Sequence, residues 1–171
     1  YVPFSQQFLE FLRASKAKFA ANTHTPCAIN INQTAVQSAL EGQAMNVTKF
    51  VTLLNNAKIS KIPEFVKSLK SRSSGEIILP REMNTAIARF LGYLISEGRS
   101  TKENQVWFVN GDKNIVKDFI LSAYASFGVE AKVFNYKKGA QDVLIFSHAL
   151  CKFLEKAFDF KISSRSKDKV V

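Results

Sequence analysis

The stretch Phe90-Leu91-Gly92-Tyr93-Leu94-Ile95-Ser96-Glu97-Gly98 decides how the rest of the chain is read. Apolar residues recur at three- and four-residue steps through Ile87, Phe90, Leu91, Leu94 and Ile95, which predicts a helix from about Glu82 to Ser96, after Pro80. Gly92 and Ser96 are four residues apart, so they share one face and leave it almost without side chains. Such a face lets a second helix approach closely. Glu97 follows at the helix C-terminus, where the macrodipole is already negative, and its carboxylate is unfavourable there by roughly a few tenths of a kcal/mol. A divalent cation reverses the sign of that interaction, and helix-end carbonyls are oxygen ligands of the hard kind that Mg²⁺ prefers. Gly98 is free to take the left-handed conformation that ends many helices.

Working outward, Gln105 to Val109 alternates as a strand, and a short strand between Arg99 and Glu103 is placed to pair with it. Lys113 to Phe127 is predicted as an amphipathic helix with Ile115, Phe119, Ile120 and Tyr124. Glu130 to Lys137 and Asp142 to Ser147 are further strands, with Gly139 in the turn between them, and Ala149 to Phe158 is a closing helix. The order is α-β-β-α-β-β-α. It predicts an α+β unit, an antiparallel sheet with its helices on one face and the other face free.

Upstream, Phe8, Phe11, Leu12 and Phe19 predict a helix over about Ser5 to Ala20, and Asn22 to Gln33 reads as a loop. Two further helices are expected, at about Asn46 to Asn56 and about Pro63 to Ser71, joined by Ala57 to Ile62. That spacing suits a helix-turn-helix, with Lys67, Lys70 and Arg72 available for phosphates. Ser71 to Gly75 is the expected linker, so residues 1–75 form a small helical DNA-recognition segment and residues 76–171 the second unit.

Charge narrows the class of partner. Across 171 residues, 24 Lys and Arg stand against 14 Asp and Glu, a net +10, which favours a polyanion, with nucleic acid ahead of a membrane surface. A hydrophobic share of 46% is enough for a packed core and argues against disorder. Cys27 and Cys151 form no metal or disulfide framework, as expected of an intracellular protein. No stretch approaches the ~18 apolar residues of a membrane span. A start at Tyr1 and a polar tail suggest a piece of a longer polypeptide.

The segment from Phe90 to Gly98 resembles the LAGLIDADG motif of homing endonucleases, in the LGYLIxEG form common among intein-encoded members. The lead-in Leu79-Pro80-Arg81-Glu82 and Ala88-Arg89-Phe90 is also similar, and the resemblance extends over about Ile77 to Phe160. It implies a site-specific, metal-dependent DNA endonuclease using Mg²⁺ or Mn²⁺, with Glu97 and Gly98 at the metal and Gly92 and Ser96 at the helix interface. It implies double-stranded DNA as partner, and a second repeat, from the same parent chain or from a second copy of this one, to supply the second acid. Ser147 to Leu154 resembles the family's SKxLxxFL stretch, where a lysine often reaches toward the active site; here His148 stands in that place, with Lys152 nearby. For DNA contact the expected residues are Arg99, Lys102, Asn104, Lys132, Lys137, Lys138 and Lys152. Which side of the strand 130–138 faces outward is left open, Lys132, Phe134, Tyr136 and Lys138 alternating with Ala131, Val133, Asn135 and Lys137. A non-cleaving DNA-binding regulator and an RNA-binding maturase-type protein on the same fold are the alternatives.

Overall fold

A computed structural model describes residues 1–3, 5–21, 33–71, 75–99, 104–135, 139–158 and 160. The chain divides into two compact units, Tyr1–Leu69 and Lys70–Val171. Among the described residues, no helix is long and apolar enough to cross a membrane.

The first unit holds α1 (Gln6–Ala21), α2 (Gln33–Leu40) and α3 (Val47–Asn56). Ser5 Oγ accepts the Phe8 N–H at 3.1 Å, and Asn46 Oδ1 accepts the Thr48 N–H at 2.9 Å, satisfying donors that a helix start leaves open. Phe8, Leu12, Phe50, Leu53 and Leu54 are buried together. The Phe8 ring lies 5.5 Å from Phe50, edge-on, and 5.9 Å from Phe65, stacked. Val2 and Met45 exchange backbone hydrogen bonds.

The helix expected from Pro63 to Ser71 is not formed, so there is no helix-turn-helix at residues 46–71. The Val66 N–H closes one turn on the Pro63 carbonyl at 3.1 Å, and the chain then extends into β1 (Ser68–Lys70), paired in a two-stranded sheet with β2 (Glu76–Ile78). A nine-residue helix is marginal by itself, and a strand partner satisfies the same backbone groups. The helix α2 was not anticipated. The loop expected over 22–33 lies almost wholly outside the described residues.

The second unit is α+β. Its elements after β2 are α4 (Thr85–Ser96), β3 (Gly98–Arg99), β4 (Gln105–Asn110), α5 (Lys113–Phe127), β5 (Lys132–Asn135), β6 (Gln141–Phe146) and α6 (His148–Phe158). The four strands form one antiparallel sheet in the order β3-β4-β6-β5. Asn84 caps α4 by accepting the Ile87 N–H at 3.0 Å, which starts the helix later than Glu82. Asp112 caps α5, and Gly128, at φ 65°, ends it in the left-handed conformation that favours glycine.

One face of each strand is apolar and sealed by helices. Val106 and Phe108 of β4 pair with Ile145 and Val143 of β6, and all four are buried. The Phe108 ring stacks on Phe119 of α5 at 4.3 Å and lies 5.7 Å from Tyr93 of α4. Phe90 of α4 stacks on Phe119 at 5.2 Å and meets Phe127 at 5.4 Å, and Phe127 meets Phe153 of α6 at 5.7 Å. This chain of rings holds α4, α5 and α6 to the same side of the sheet.

Two consequences are measurable. Phe119→Ala removes the ring at the centre of the cluster and is expected to cost about 3–5 kcal/mol in urea unfolding, the usual range for a buried aromatic. The Cys151 thiol, wholly buried in α6, is pushed up to about 11 by that burial, from an ordinary 9.0. Its folded-state value is raised, so the folded state prefers the neutral thiol. That preference is fully present below pH 9 and is lost as pH rises toward 11. Over this window the wild type should lose about 2–3 kcal/mol of stability that Cys151→Ala does not lose.

Candidate nucleic-acid interface

The strand pleat that buries Val106, Phe108, Val143 and Ile145 turns their neighbours to the opposite side. Gln105, Trp107 and Val109 of β4 pair with Phe146, Leu144 and Asp142 of β6, and Lys132 and Phe134 of β5 pair with Leu144 and Asp142. These residues make the face that α4, α5 and α6 do not cover. The register resolves the side left open by the alternation of 130–138: Lys132 and Phe134 lie on the uncovered face. Lys132 Nζ sits 5.7 Å from the centre of the Phe146 ring, within cation–π range. Arg99 is the register partner of Trp107. Asn104 is exposed just before β4, and its carbonyl accepts the Ser147 N–H at 3.0 Å. Lys102, Lys137 and Lys138 lie outside the described residues.

Lys152 is placed elsewhere. It sits on α6, in the helix layer, and donates to Glu155 at 2.7 Å, an ion pair that holds the Glu155 carboxyl below its ordinary range. His148 opens α6 half-buried, directly after Ser147, whose hydroxyl accepts the Leu150 N–H at 3.1 Å.

At the end of α4, Glu97 is exposed, and its backbone N–H still donates to the Tyr93 carbonyl at 3.0 Å. The left-handed ending expected of Gly98 does not occur, because Gly98 is already the first residue of β3. Glycine is required there for another reason. A Cβ on Gly98 would lie 2.6 Å from the backbone of Leu94 and 2.8 Å from its side chain. The chain turns from helix to strand against its own last turn, and only hydrogen fits between.

Gly92 is the opposite case. It is exposed, and a Cβ there would meet nothing within 4 Å. With Thr85, Ala88 and Ser96, also exposed, it makes a stripe of small residues along α4. The helix is oriented by the residues that flank this stripe, where Asp118 of α5 accepts from the Tyr93 hydroxyl at 2.6 Å and from Arg89 Nη1 at 3.2 Å. The hydrogen bond to Asp118 is the main reason the Tyr93 phenol is held above its ordinary range.

The donor set for a metal is thin. Glu97 brings one carboxylate, and among the described residues no three His, Cys, Asp or Glu side chains gather where they would hold an ion. One exposed carboxylate does not fit the several oxygen ligands that Mg²⁺ takes.

No protein-family model matches the chain. Among curated proteins, 125 residues covering 67% of this chain are 28% identical to the replication factor C small subunit of Methanocaldococcus jannaschii. The stretch spans 7% of that relative's length. The relative is named for replication and not for site-specific DNA cleavage. On that finding the homing-endonuclease function expected from the motif is corrected and withdrawn.

The two glycines separate cleanly by substitution. Gly98→Ala should lower stability by about 1–3 kcal/mol or prevent folding, as overpacking against a backbone does. Gly92→Ala should raise it by about 0.5–1 kcal/mol, the helix-propensity gain in open space. Urea denaturation of both variants reads the contrast, and equal effects would contradict the different surroundings described for them.

Proposed function

We propose that this chain is a DNA-binding module that takes the nucleic acid on the uncovered face of its four-stranded sheet. The observation that carries the reading is that face itself. Among the described residues of the second unit, helices seal one side of β3-β4-β6-β5 and leave the other free, in a chain of net charge +10. Lys132 lies on it, and Arg99 occupies the register position beside Trp107. A relative named for replication agrees with a DNA partner, although so short a share of it brings none of the whole relative's activity.

The LAGLIDADG resemblance belongs to the same proposal at the level of fold. The order α4-β3-β4-α5-β5-β6-α6 and the bare Gly92–Ser96 face support it. On that reading a second repeat, or a second copy of this chain, packs against α4, and a divalent cation such as Mg²⁺ or Mn²⁺ is held at Glu97 only with a second carboxylate brought by that partner.

Fluorescence anisotropy with labelled DNA across a salt series tests the main reading. Binding should weaken steeply with salt, with a log–log slope of about −0.7 to −0.9 per phosphate contacted. Lys132→Gln should weaken binding and make that slope shallower by about one contact. Binding that ignores salt, or is absent at low salt, sinks the reading.

A further inference from the structure

The uncovered face has an unusual composition for a surface that meets only phosphates. Phe134 is 48% exposed and Phe146 is 46% exposed, on the adjacent strands β5 and β6. Trp107, half-buried on β4, is the register partner of Leu144, in the row of side chains between that of Phe146 and that of Phe134. The three aromatic residues therefore stand on three consecutive strands but in three successive rows, Phe146 lying four residues along β6 from Asp142, the register partner of Phe134, or about 13 Å along the strand direction. Val109 and Leu144 fill the space between them, and Lys132 stands over the Phe146 ring.

Asp142 supplies an independent observation. It shares the uncovered face, between Val109 and Phe134 in register, yet it is only 8% exposed. Its Oδ1 is buried with no hydrogen-bond partner among the described residues. An acceptor in that state is costly unless a donor comes to it. A phosphate is the wrong ligand beside it, since carboxylate and phosphate repel.

We propose that the uncovered face is a base-stacking platform for single-stranded DNA, with unpaired bases on Phe134, Phe146 and Trp107 and a base N–H or exocyclic amine donated to Asp142. The proposal deepens the DNA-binding reading above and rests on it. In a duplex the base faces are stacked on one another and unavailable to these rings. In a single strand each base offers a π-face to an aromatic side chain, worth about 1–3 kcal/mol per base. Lys132 adds charge for the backbone beside the rings. Asp142 then favours bases with an amino group, cytosine above all, over thymine, because an aspartate accepts well from the cytosine N4 amine.

The full chain is titrated, by anisotropy at one fixed salt, with labelled oligo-dC, oligo-dT and oligo-rC of about 12 nucleotides, within the usual site size, and with a duplex of the same length. The single strands of DNA should bind at least tenfold tighter than the duplex, and oligo-dC tighter than oligo-dT. The double variant Phe134→Ala and Phe146→Ala, both exposed and so expected to fold, should lose tenfold or more on single strands while keeping its salt slope. Asp142→Ala should bring the dC and dT affinities together. Circular dichroism and urea unfolding confirm that each variant is folded; should the double variant unfold, Phe146→Ala alone is read against the same probes. Duplex binding as tight as single-strand binding, or an aromatic variant that binds unchanged, overturns the platform and leaves the DNA-binding reading standing. An oligo-rC bound tighter than oligo-dC overturns the choice of DNA, and no binding of any probe overturns both readings.

Discussion

The stacking of Phe108 on Phe119 is the contact from which the second unit's architecture follows. Phe108 belongs to a central strand and Phe119 to the middle of α5, so their contact fixes which side of the sheet that helix covers. Phe90, Tyr93 and Phe127 extend the same set of rings, and Phe153 carries it to α6. With all three helices drawn to one side, strand alternation sends every second residue to the other. The uncovered face is thus a by-product of how the core is packed, and its chemistry depends on which residues the alternation happens to place there.

Much of this architecture could be read from residue patterns. The helices at Lys113–Phe127 and His148–Phe158 follow from apolar periodicity, and the strands at Gln105–Asn110 and Gln141–Phe146 from alternation. The reading failed where the deciding information was distant. Pro63, Phe65 and Val66 look like a helix start, but the competing strand pairing is supplied by residues near Glu76. The side of β5 that faces outward was ambiguous because both its rows mix polar and apolar residues; the buried pair Val143 and Ile145 on the neighbouring strand settles it.

The candidate site was less legible than the fold. Gly98 looked like a helix terminator because glycine after a helix usually is one, whereas its role comes from the return of the chain beside Leu94. Lys152 has the charge expected of a DNA contact, but it is spent on Glu155 in the helix layer. Asp142 had no signal at all: a lone acid in a strand reads as a solvated surface group, and only its neighbours bury it. The local motif around Glu97 suggested an activity as well as a shape, and a nine-residue motif is a weaker warrant for activity than for the helix it forms. The comparison with a replication subunit goes against the activity. The helix, with its bare Gly92 face, is unaffected.

The sheet's order also leaves β5 at its margin, with all four of its residues exposed. A margin strand presents unsatisfied backbone donors and acceptors, and apolar neighbours such as Val133 and Phe134 make it a template for another extended chain. Short length is one safeguard of such a margin, and charge is another. On β5 that safeguard falls to charge, and Lys132 is the residue that provides it. A charge on a margin strand disfavours the strand-by-strand addition of one molecule to another as chains fold at high concentration, independently of any ligand.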